Sequence, residues 1–197
     1  MCNYIHYGDK PPAECPECGV GAELFEEIVE ELSTPSLSQE EAEEAKQAIF
    51  KISYGLYIVG SPKDGKVNGQ VCNTAFQITS DPMRMALGVN KVNLTAEHIL
   101  ASGVFSINIL GQDGHSLVRR FGYRSGRELD KFKGIKYTLG KTGSPLLENC
   151  IGYLECKVIK DKIVDCGTHW LFVADVISGK LLNNVEPMTY EYFRRTK

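Results

Sequence analysis

The sequence lacks several features that assign a chain to common protein classes. No window approaches the roughly 18 consecutive apolar residues of a membrane span. No Gly-x-Gly-x-x-Gly or phosphate-loop motif appears, which leaves a Rossmann fold without support. The first residues also lack the basic and apolar regions of a secretion signal. We therefore expect a soluble, cytoplasmic protein.

An excess of positive charge is also missing. The formal net charge is -3, which argues against a broad nucleic-acid-binding surface and predicts no nucleic-acid partner. The seven cysteines are odd in number. Without a secretion signal they favour a reducing compartment, where clustered cysteines bind metal more often than they form disulfides.

Composition divides the chain into three segments. Residues 1–28 form a short, turn-rich segment that cannot bury a core of its own. They therefore predict a small module that needs a cross-link, such as a bound metal or a disulfide, to be stable. Residues 29–44 are acidic and form a linker followed by a helix start. Residues 45–197 are long enough for one sizeable core, and they predict the main domain.

A helix is predicted across the start of the main domain. Ser38 and Glu41 fit a capping box, in which the hydroxyl and the carboxylate satisfy free backbone donors at a helix start. Apolar residues follow at helical spacing, at positions Ala42, Ala45, Ile49 and Ile52. A helix is therefore predicted over residues 38–52.

Beyond this helix the pattern changes to short runs that are rich in β-branched and aromatic residues. These runs predict strands over residues 55–61, 67–80, 83–90, 104–110, 151–164 and 168–182. Residues 62–65, with Pro at their start and Gly at their end, predict a hairpin turn. A short helix is expected over residues 95–103, with Asn93 or Thr95 as N-cap and Gly103 as C-cap. Most strands follow one another without helical crossovers, so we predict a mainly β, antiparallel barrel with a few short helices.

The N-terminal module carries a Cys-Pro-Glu-Cys-Gly motif at Cys15 and Cys18, in which two thiolates can wrap a metal. With Cys2 ahead of it, this segment resembles the rubredoxin-like module of rubredoxins and rubrerythrins over residues 2–26. A further cysteine of that module would lie upstream of the first residue. Three explanations stay open: a late gene start, a lost fourth ligand, or three thiolates joined by another ligand such as His6. A further alternative is that the segment has no metal-binding role and is either a collapsed, zinc-knuckle-like appendage or a disordered tail. Because tetrahedral sulfur sites need four ligands, we expect weak or absent iron binding at Cys2, Cys15 and Cys18.

Small polar side chains are concentrated along the strand predicted over residues 67–80. Polar side chains are costly to bury without partners. The side chains in question are those of Asn73, Thr74, Gln77, Thr79 and Ser80. An isoalloxazine edge offers carbonyls and ring nitrogens that strand amides and these side chains would satisfy. An edge strand with one solvated face is the alternative.

The next cluster, residues 90–95, suits a phosphate. Lys91 supplies a point charge, and Asn93 and Thr95 supply neutral donors. The free N–H groups at the start of the following helix also favour an anion. Together the two clusters predict a site for a phosphorylated planar heterocycle.

With these clusters in place, the chain resembles the flavin reductase-like FMN-binding split β-barrel family over residues 45–197. Within that family it resembles the flavoredoxins and the flavin domains of high-molecular-weight rubredoxins. The resemblance rests on residues 52–59 (Ile-Ser-Tyr-Gly-Leu-Tyr-Ile-Val), 73–80 (Asn-Thr-Ala-Phe-Gln-Ile-Thr-Ser), 120–132 and 186–190. It implies a homodimer with one FMN per subunit near the dimer interface. It also implies cofactor contacts at Asn73, Thr74, Ala75, Gln77, Thr79, Ser80, Asn90, Lys91, Asn93 and Thr95.

One stretch is strongly basic, with Arg119, Arg120, Arg124, Arg127, Lys131 and Lys133. We interpret Arg124, Ser125 and Arg127 as a phosphate clamp for FMN or for a nicotinamide nucleotide, since the intervening Gly permits close backbone approach. Docking of the acidic N-terminal module or of a partner is a second interpretation. A solvated loop with internal ion pairs is a third.

Residues 167–169 (Gly-Thr-His) are similar to the Gly-Asp-His element that flavin reductases place beside the flavin and the nicotinamide. The resemblance implies a catalytic role for His169, which would fix the nicotinamide or carry a proton. Thr168 stands where the family has Asp, so the orienting carboxylate is missing. A histidine that is merely satisfied by a neighbour is the alternative.

Two functions follow from these resemblances. The first is an NAD(P)H-dependent oxidoreductase that passes electrons through FMN to iron, a rubredoxin or a diiron flavoprotein. The second is a flavoredoxin-like electron carrier with no NAD(P)H activity of its own. A third reading is a barrel that binds a deazaflavin or a pyridoxal-type phosphate.

Overall fold

The computed structural model describes residues 10–25 and 37–197. The chain divides into two compact units, Met1–Glu44 and Ala45–Lys197. Within the described residues, no helix combines the length and the apolar character needed to span a bilayer.

The helices are α1 (Gln39–Ile49), α2 (Leu94–Ser102), α3 (His115–Gly122) and α4 (Tyr190–Thr196), with a 3-10 helix over Ala22–Leu24. The strands are β1 (Tyr57–Lys63), β2 (Lys66–Cys72), β3 (Ala75–Ser80), β4 (Met83–Asn90), β5 (Val104–Ile109), β6 (Tyr137–Leu139), β7 (Pro145–Leu147), β8 (Gly152–Asp165) and β9 (His169–Leu181). The predicted mainly β fold with a few short helices is confirmed.

Seven strands form one antiparallel sheet in the order β2-β1-β5-β8-β9-β4-β3. β2 and β3 lie at the two ends of this order, although only residues 73–74 separate them in the chain. Three residue steps span at most about 11 Å, so the two edges of the sheet must curl towards each other at this point. The result is a barrel that is split between β2 and β3, as expected for this class of sheet.

The hairpin predicted at residues 62–65 is present, but its turn is one step further along. Pro62 lies within β1 and is paired with Val67, and Lys63 faces Lys66. Asp64 and Gly65 form the two-residue loop, with φ values of 49° and 73°. Two consecutive positive φ values match the twist of the flanking strands and are typical of Asp-Gly hairpins.

The capping box at the start of α1 is confirmed. The Ser38 N–H donates to Glu41 Oε2 at 2.9 Å, and the Glu41 N–H donates to Ser38 Oγ at 3.2 Å. The helix ends at Ile49 rather than at Ile52, because residues 50–52 form a turn. The side chains of Ile49 and Ile52 are 53% and 54% exposed, so the apolar face of α1 is not buried within the described residues.

Two apolar cores lie on opposite faces of the sheet. The first joins β-strand residues such as Leu87, Phe105 and Phe172 to Ile99 of α2. The second joins Ile58 of β1 to residues of α3, α4 and β7, and it includes Phe121 of α3. The alternation of β1, in which Ile58 faces one core and Val59 the other, explains why this strand is buried on both sides.

Two elements of the sequence pattern gave incomplete predictions. The run 67–80 contains two strands, because the chain leaves the sheet at residues 73–74. The basic stretch begins in a helix, because Arg119 and Arg120 lie in the last turn of α3. The sequence pattern predicts neither this helix nor α4, β6 and β7.

Candidate functional site

A polar cleft of about 320 Å³ opens at the N-terminal end of α2. Its walls come from β2, from the start of α2 and from the loop after α3. Four of the predicted cofactor-binding residues line it: Asn93, Thr95, Arg124 and Ser125. The structure therefore brings part of the phosphate cluster and part of the basic stretch into one place.

The start of α2 presents donors to this cleft. Asn93 is the N-cap, with an extended backbone, and its side chain accepts no hydrogen bond from the helix N–H groups. Asn68 Nδ2 donates to Thr95 Oγ1 at 2.8 Å, and both residues are buried. Since the Thr95 oxygen already accepts this bond, its own O–H is left to donate. The first turn of the helix adds the partial positive charge of its N-terminus.

All of the charged side chains that line the polar cleft are positive. They include Arg124 and Lys131, and none is an aspartate or a glutamate. Arg124 is exposed and has no ion pair among residues 10–25 and 37–197. Lys131 is only 6% exposed, and burial lowers the pKa of its ammonium. Such a cleft favours an anionic ligand.

The rest of the basic stretch has other roles. Arg127 is paired with Glu97 and lines a neighbouring cleft together with His98. The guanidinium of Arg120 donates to the backbone carbonyls of Asp130, Lys131 and Lys133, so it holds the loop in place. Of the predicted clamp, Arg124 and Ser125 thus reach the polar cleft, and Arg127 does not.

An apolar cleft of about 570 Å³ is lined in part by the first residues of β3, which directly follow the β2–β3 link. Ala75 and Gln77 of the predicted isoalloxazine strand line it, with Phe76 between them. Its remaining walls are largely aliphatic or aromatic and include Tyr57 and Met85. Burial, and to a lesser extent the nearby Cys72 thiol, raises the pKa of the Tyr57 phenol. A flat, weakly polar ring system fits this lining.

The polar side chains along residues 73–80 are not fully buried, so the cost of burying them without partners does not arise. Thr74, Gln77, Thr79 and Ser80 are exposed, and Asn73 is half-buried. β3 is an edge strand, which was the alternative considered. Thr74 Oγ1 donates to the Gly88 carbonyl at 2.7 Å, and Thr79 Oγ1 donates to the Pro82 carbonyl. The hydroxyls of Thr74 and Thr79 are therefore satisfied locally, and burial does not require a ligand here.

A third group of predicted residues lies where β4 ends beside the β8–β9 turn. Asn90 is paired with His169, and the Lys91 N–H donates to the Thr168 carbonyl at 3.0 Å. The Lys91 ammonium is bound by Asp165 and lies 4.4 Å from the centre of the Trp170 ring. The side chain of Lys91 is thus engaged within the fold and does not line the polar cleft.

His169 is exposed at the start of β9, and its Nδ1 lies 2.8 Å from Thr168 Oγ1. The threonine hydroxyl therefore contacts the ring nitrogen that a carboxylate would otherwise orient. Because one ring nitrogen is engaged by the hydroxyl, Nε2 is left to meet a substrate or to carry a proton.

Sequence reasoning missed two residues of the polar cleft. Gln70 was not considered, and Lys131 was counted only as one of six basic residues. Gln70 belongs to β2, two positions from Asn68, so the strand period places both side chains on the same face. This two-residue alternation of side chains along a strand is the sequence signal that could have identified Gln70.

The N-terminal unit is described over residues 10–25. Gly19 follows Cys18 and has a φ of 71°, and its N–H donates to the Cys15 carbonyl at 2.9 Å. Cys15 is buried and Cys18 is exposed. Cys2 and His6 lie outside the described residues. Within residues 10–25 and 37–197, no three His, Cys, Asp or Glu side chains are grouped as a metal site would require.

Two family models match the chain. Residues 49–197 match the flavin reductase like domain, and residues 1–26 match the rubredoxin-like domain of rubrerythrin.

The chain is 44% identical over 153 residues to the high molecular weight rubredoxin of Moorella thermoacetica, which covers 77% of this chain and 66% of that protein. It is 40% identical over 153 residues to the ferric-chelate reductase (NAD(P)H) of Archaeoglobus fulgidus, with 77% and 89% covered. It thus spans just under two thirds of the Moorella protein. Among solved structures, the flavin reductase HpaC complexed with NADP+ is similar, with a TM-score of 0.66, 27% identity, and 76% of this chain and 92% of that chain covered.

Proposed function

We propose that this chain, which belongs to the flavin reductase-like family, is an NAD(P)H-dependent oxidoreductase that uses FMN and passes electrons to a rubredoxin, a diiron flavoprotein or ferric iron. Family membership rests on the match over residues 49–197, which confirms the resemblance inferred from the motifs. The electron acceptors are suggested by the two relatives above, a rubredoxin and a ferric-chelate reductase.

One observation carries the proposal. A cleft with only positive charge lies at a helix N-terminus, and residues 73–74 alone connect its strand to the strand that lines an apolar cleft. A molecule with a phosphate at one end and a planar ring at the other fits this pair of clefts. FMN is such a molecule, and when bound it accepts two electrons from a nicotinamide and releases them one at a time.

Different residues would bind the phosphate and the ring of FMN. We assign the phosphate to Asn93, Thr95, Arg124 and Ser125, which donate hydrogen bonds or positive charge into the polar cleft. The ring would lie against β3, where backbone groups of the edge strand after Asn73 are unpaired on one side and meet its polar edge. The apolar cleft excludes water from the ring's other atoms.

His169 would position the nicotinamide. Its Nε2 is the ring nitrogen left to donate to, or accept from, the carboxamide of the incoming nucleotide. The Thr168 hydroxyl contacts Nδ1, so Nδ1 is engaged within the protein and Nε2 is left for the nucleotide. No carboxylate takes part in that contact, so His169 would hold the substrate rather than relay a proton to an acid.

Anaerobic stopped-flow mixing tests the assignment. The FMN-loaded protein should lose its visible flavin absorption when NADH or NADPH is added, with a rate that saturates as the nucleotide concentration rises. If neither nucleotide bleaches the flavin while a reduced rubredoxin or dithionite does, the protein is instead a flavoredoxin-like carrier.

We also propose that the protein is a homodimer. Large apolar side chains are exposed at one edge of the main unit: Phe76, Ile78 and Met83 are 55%, 42% and 51% exposed. Side chains of this size on an edge strand promote association with another chain. Light scattering should give twice the mass of 21.9 kDa, and Ile78→Asp should give the monomer mass.

The N-terminal module supports a rubredoxin-like partner or an internal relay, but only weak iron binding is proposed for Cys2, Cys15 and Cys18. Iron analysis with a visible spectrum tests this, since a stoichiometric thiolate–iron band would contradict it. A cytoplasmic location is proposed because clustered cysteines such as Cys15 and Cys18 more often bind metal in a reducing compartment than form disulfides.

A further inference from the structure

Lys131 is a buried cation on the wall of the polar cleft. Its Nζ donates to the carbonyls of Gly69 at 3.0 Å and Phe121 at 2.9 Å. Both acceptors are neutral, and no carboxylate pairs with Lys131 anywhere in the described part of the chain. An ammonium has three donors, so one N–H and a full positive charge are left without a counterpart. A buried charge in this state is costly unless an anion meets it.

Gln70 gives a second, independent sign of a ligand in the same cleft. Its Oε1 is buried and has no hydrogen-bond donor among the described residues. Buried amide oxygens almost always have a donor. Because Gln70 and Lys131 both line the polar cleft, a ligand with an anionic group and a neighbouring hydroxyl would satisfy both residues at once.

Lys91, the lysine that the sequence motif favours for this role, is already compensated. Asp165 binds its ammonium, and Trp170 covers it at 4.4 Å. Moving Lys91 to a phosphate would break both contacts, whereas Lys131 needs no rearrangement.

Resting on the proposed function, we infer that Lys131, and not Lys91, supplies the buried positive charge that selects a phosphorylated flavin, while Gln70 accepts a hydrogen bond from a ribityl hydroxyl next to the phosphate. Lys131 is thus the specificity-determining residue of this pair, and Gln70 is a binding residue of the cofactor site. Lys131 distinguishes FMN from riboflavin, which lacks the phosphate. Gln70 contacts a part that the two flavins share.

The test measures dissociation constants of FMN and riboflavin by quenching of flavin fluorescence, with no turnover involved. Lys131→Met should lower the preference for FMN over riboflavin by about ten- to a hundredfold, the usual size of a charge-assisted hydrogen bond. Gln70→Leu should weaken both flavins by about fivefold or more and leave their ratio unchanged. Lys133→Met is the matched control, since Lys133 is an exposed lysine of the same loop that lines neither cleft, and its ratio should match that of the wild type.

The possible outcomes distinguish a failure of the Lys131 inference from a failure of the proposed function. If wild-type protein binds FMN tightly but Lys131→Met keeps the wild-type ratio, or if Lys91→Met loses the ratio instead, the inference is wrong and the proposed function stands. If wild-type protein binds neither flavin, both fall. Should Lys131→Met not fold, 13C-lysine NMR of the wild type decides: the Lys131 Cε resonance should shift with FMN and stay unmoved with riboflavin, and equal shifts with both flavins would overturn the inference.

Discussion

Replacing Gly126 with alanine tests how the polar cleft is built. A Cβ at this position would lie 2.0 Å from Asn68 Oδ1 and 3.1 Å from Leu94 Cδ2. Asn68 is 5% exposed and donates to Thr95, so it cannot turn away without losing that bond. Overpacking costs about 1–3 kcal/mol, and the loss of a buried hydrogen-bond partner costs about 1–3 kcal/mol. We expect the free energy of unfolding to fall by about 2–4 kcal/mol and the Kd for FMN to rise about tenfold or more.

Gly122→Ala is the matched control for this change. Gly122 lines the same cleft, but its Cβ would lie 3.5 Å from Val71 Cγ2, which is ordinary van der Waals contact. It also ends α3, where alanine is a better helix former than glycine. Urea unfolding of the flavin-free proteins and FMN titration of the folded ones measure both effects. A Gly126→Ala protein with wild-type stability and wild-type FMN affinity would refute the packing argument.

Three further predictions concern other parts of the main unit. Thr168→Val removes the hydroxyl beside His169 Nδ1; stopped-flow reduction by NADH should slow about fivefold, while the Tm stays unchanged because both side chains are exposed. Burial raises the pKa of the Cys150 and Cys156 thiols to about 11 and about 12. A folded-state pKa above the unfolded value of 9.0 gives stability that is present below pH 9 and lost as pH rises towards 11–12. Urea unfolding from pH 9 upward should therefore show a decline of up to about 1.4 kcal/mol per pH unit for each thiol, and Cys156→Ala should make that decline shallower. Phe172→Ala empties a fully buried site and should cost about 3–5 kcal/mol in the same assay, against a cost below 1 kcal/mol if the residue were at the surface.

The fold was largely predictable because its signals are local. The capping box of Ser38 and Glu41 and the αL C-cap of Gly103 each depend on a few adjacent residues, and the structure has both. The hairpin was also predictable, although Asp64 and Gly65 set its turn and Pro62 does not. Elements whose stability comes from tertiary packing were missed. α3 is an example, since its helix is fixed by burying Phe121 in a core formed by distant strands.

The site was less predictable than the fold, for a physical reason. Lys91 and Lys131 both occur in polar stretches, and only the folded chain shows that one is paired with Asp165 and the other is buried without a carboxylate. In the same way, the polar pattern of residues 73–80 is compatible with a buried strand or an edge strand. The position of β3 at the end of the strand order decides between them.

Flavin analysis of the purified protein tests the central claim most directly. We expect that FMN, identified by its absorption spectrum and mass after extraction, either co-purifies with the chain or binds it stoichiometrically at micromolar concentration, and that excess riboflavin displaces it poorly. A colourless protein that fails to bind added FMN at micromolar concentration would contradict the assignment of both clefts and the redox function that depends on them.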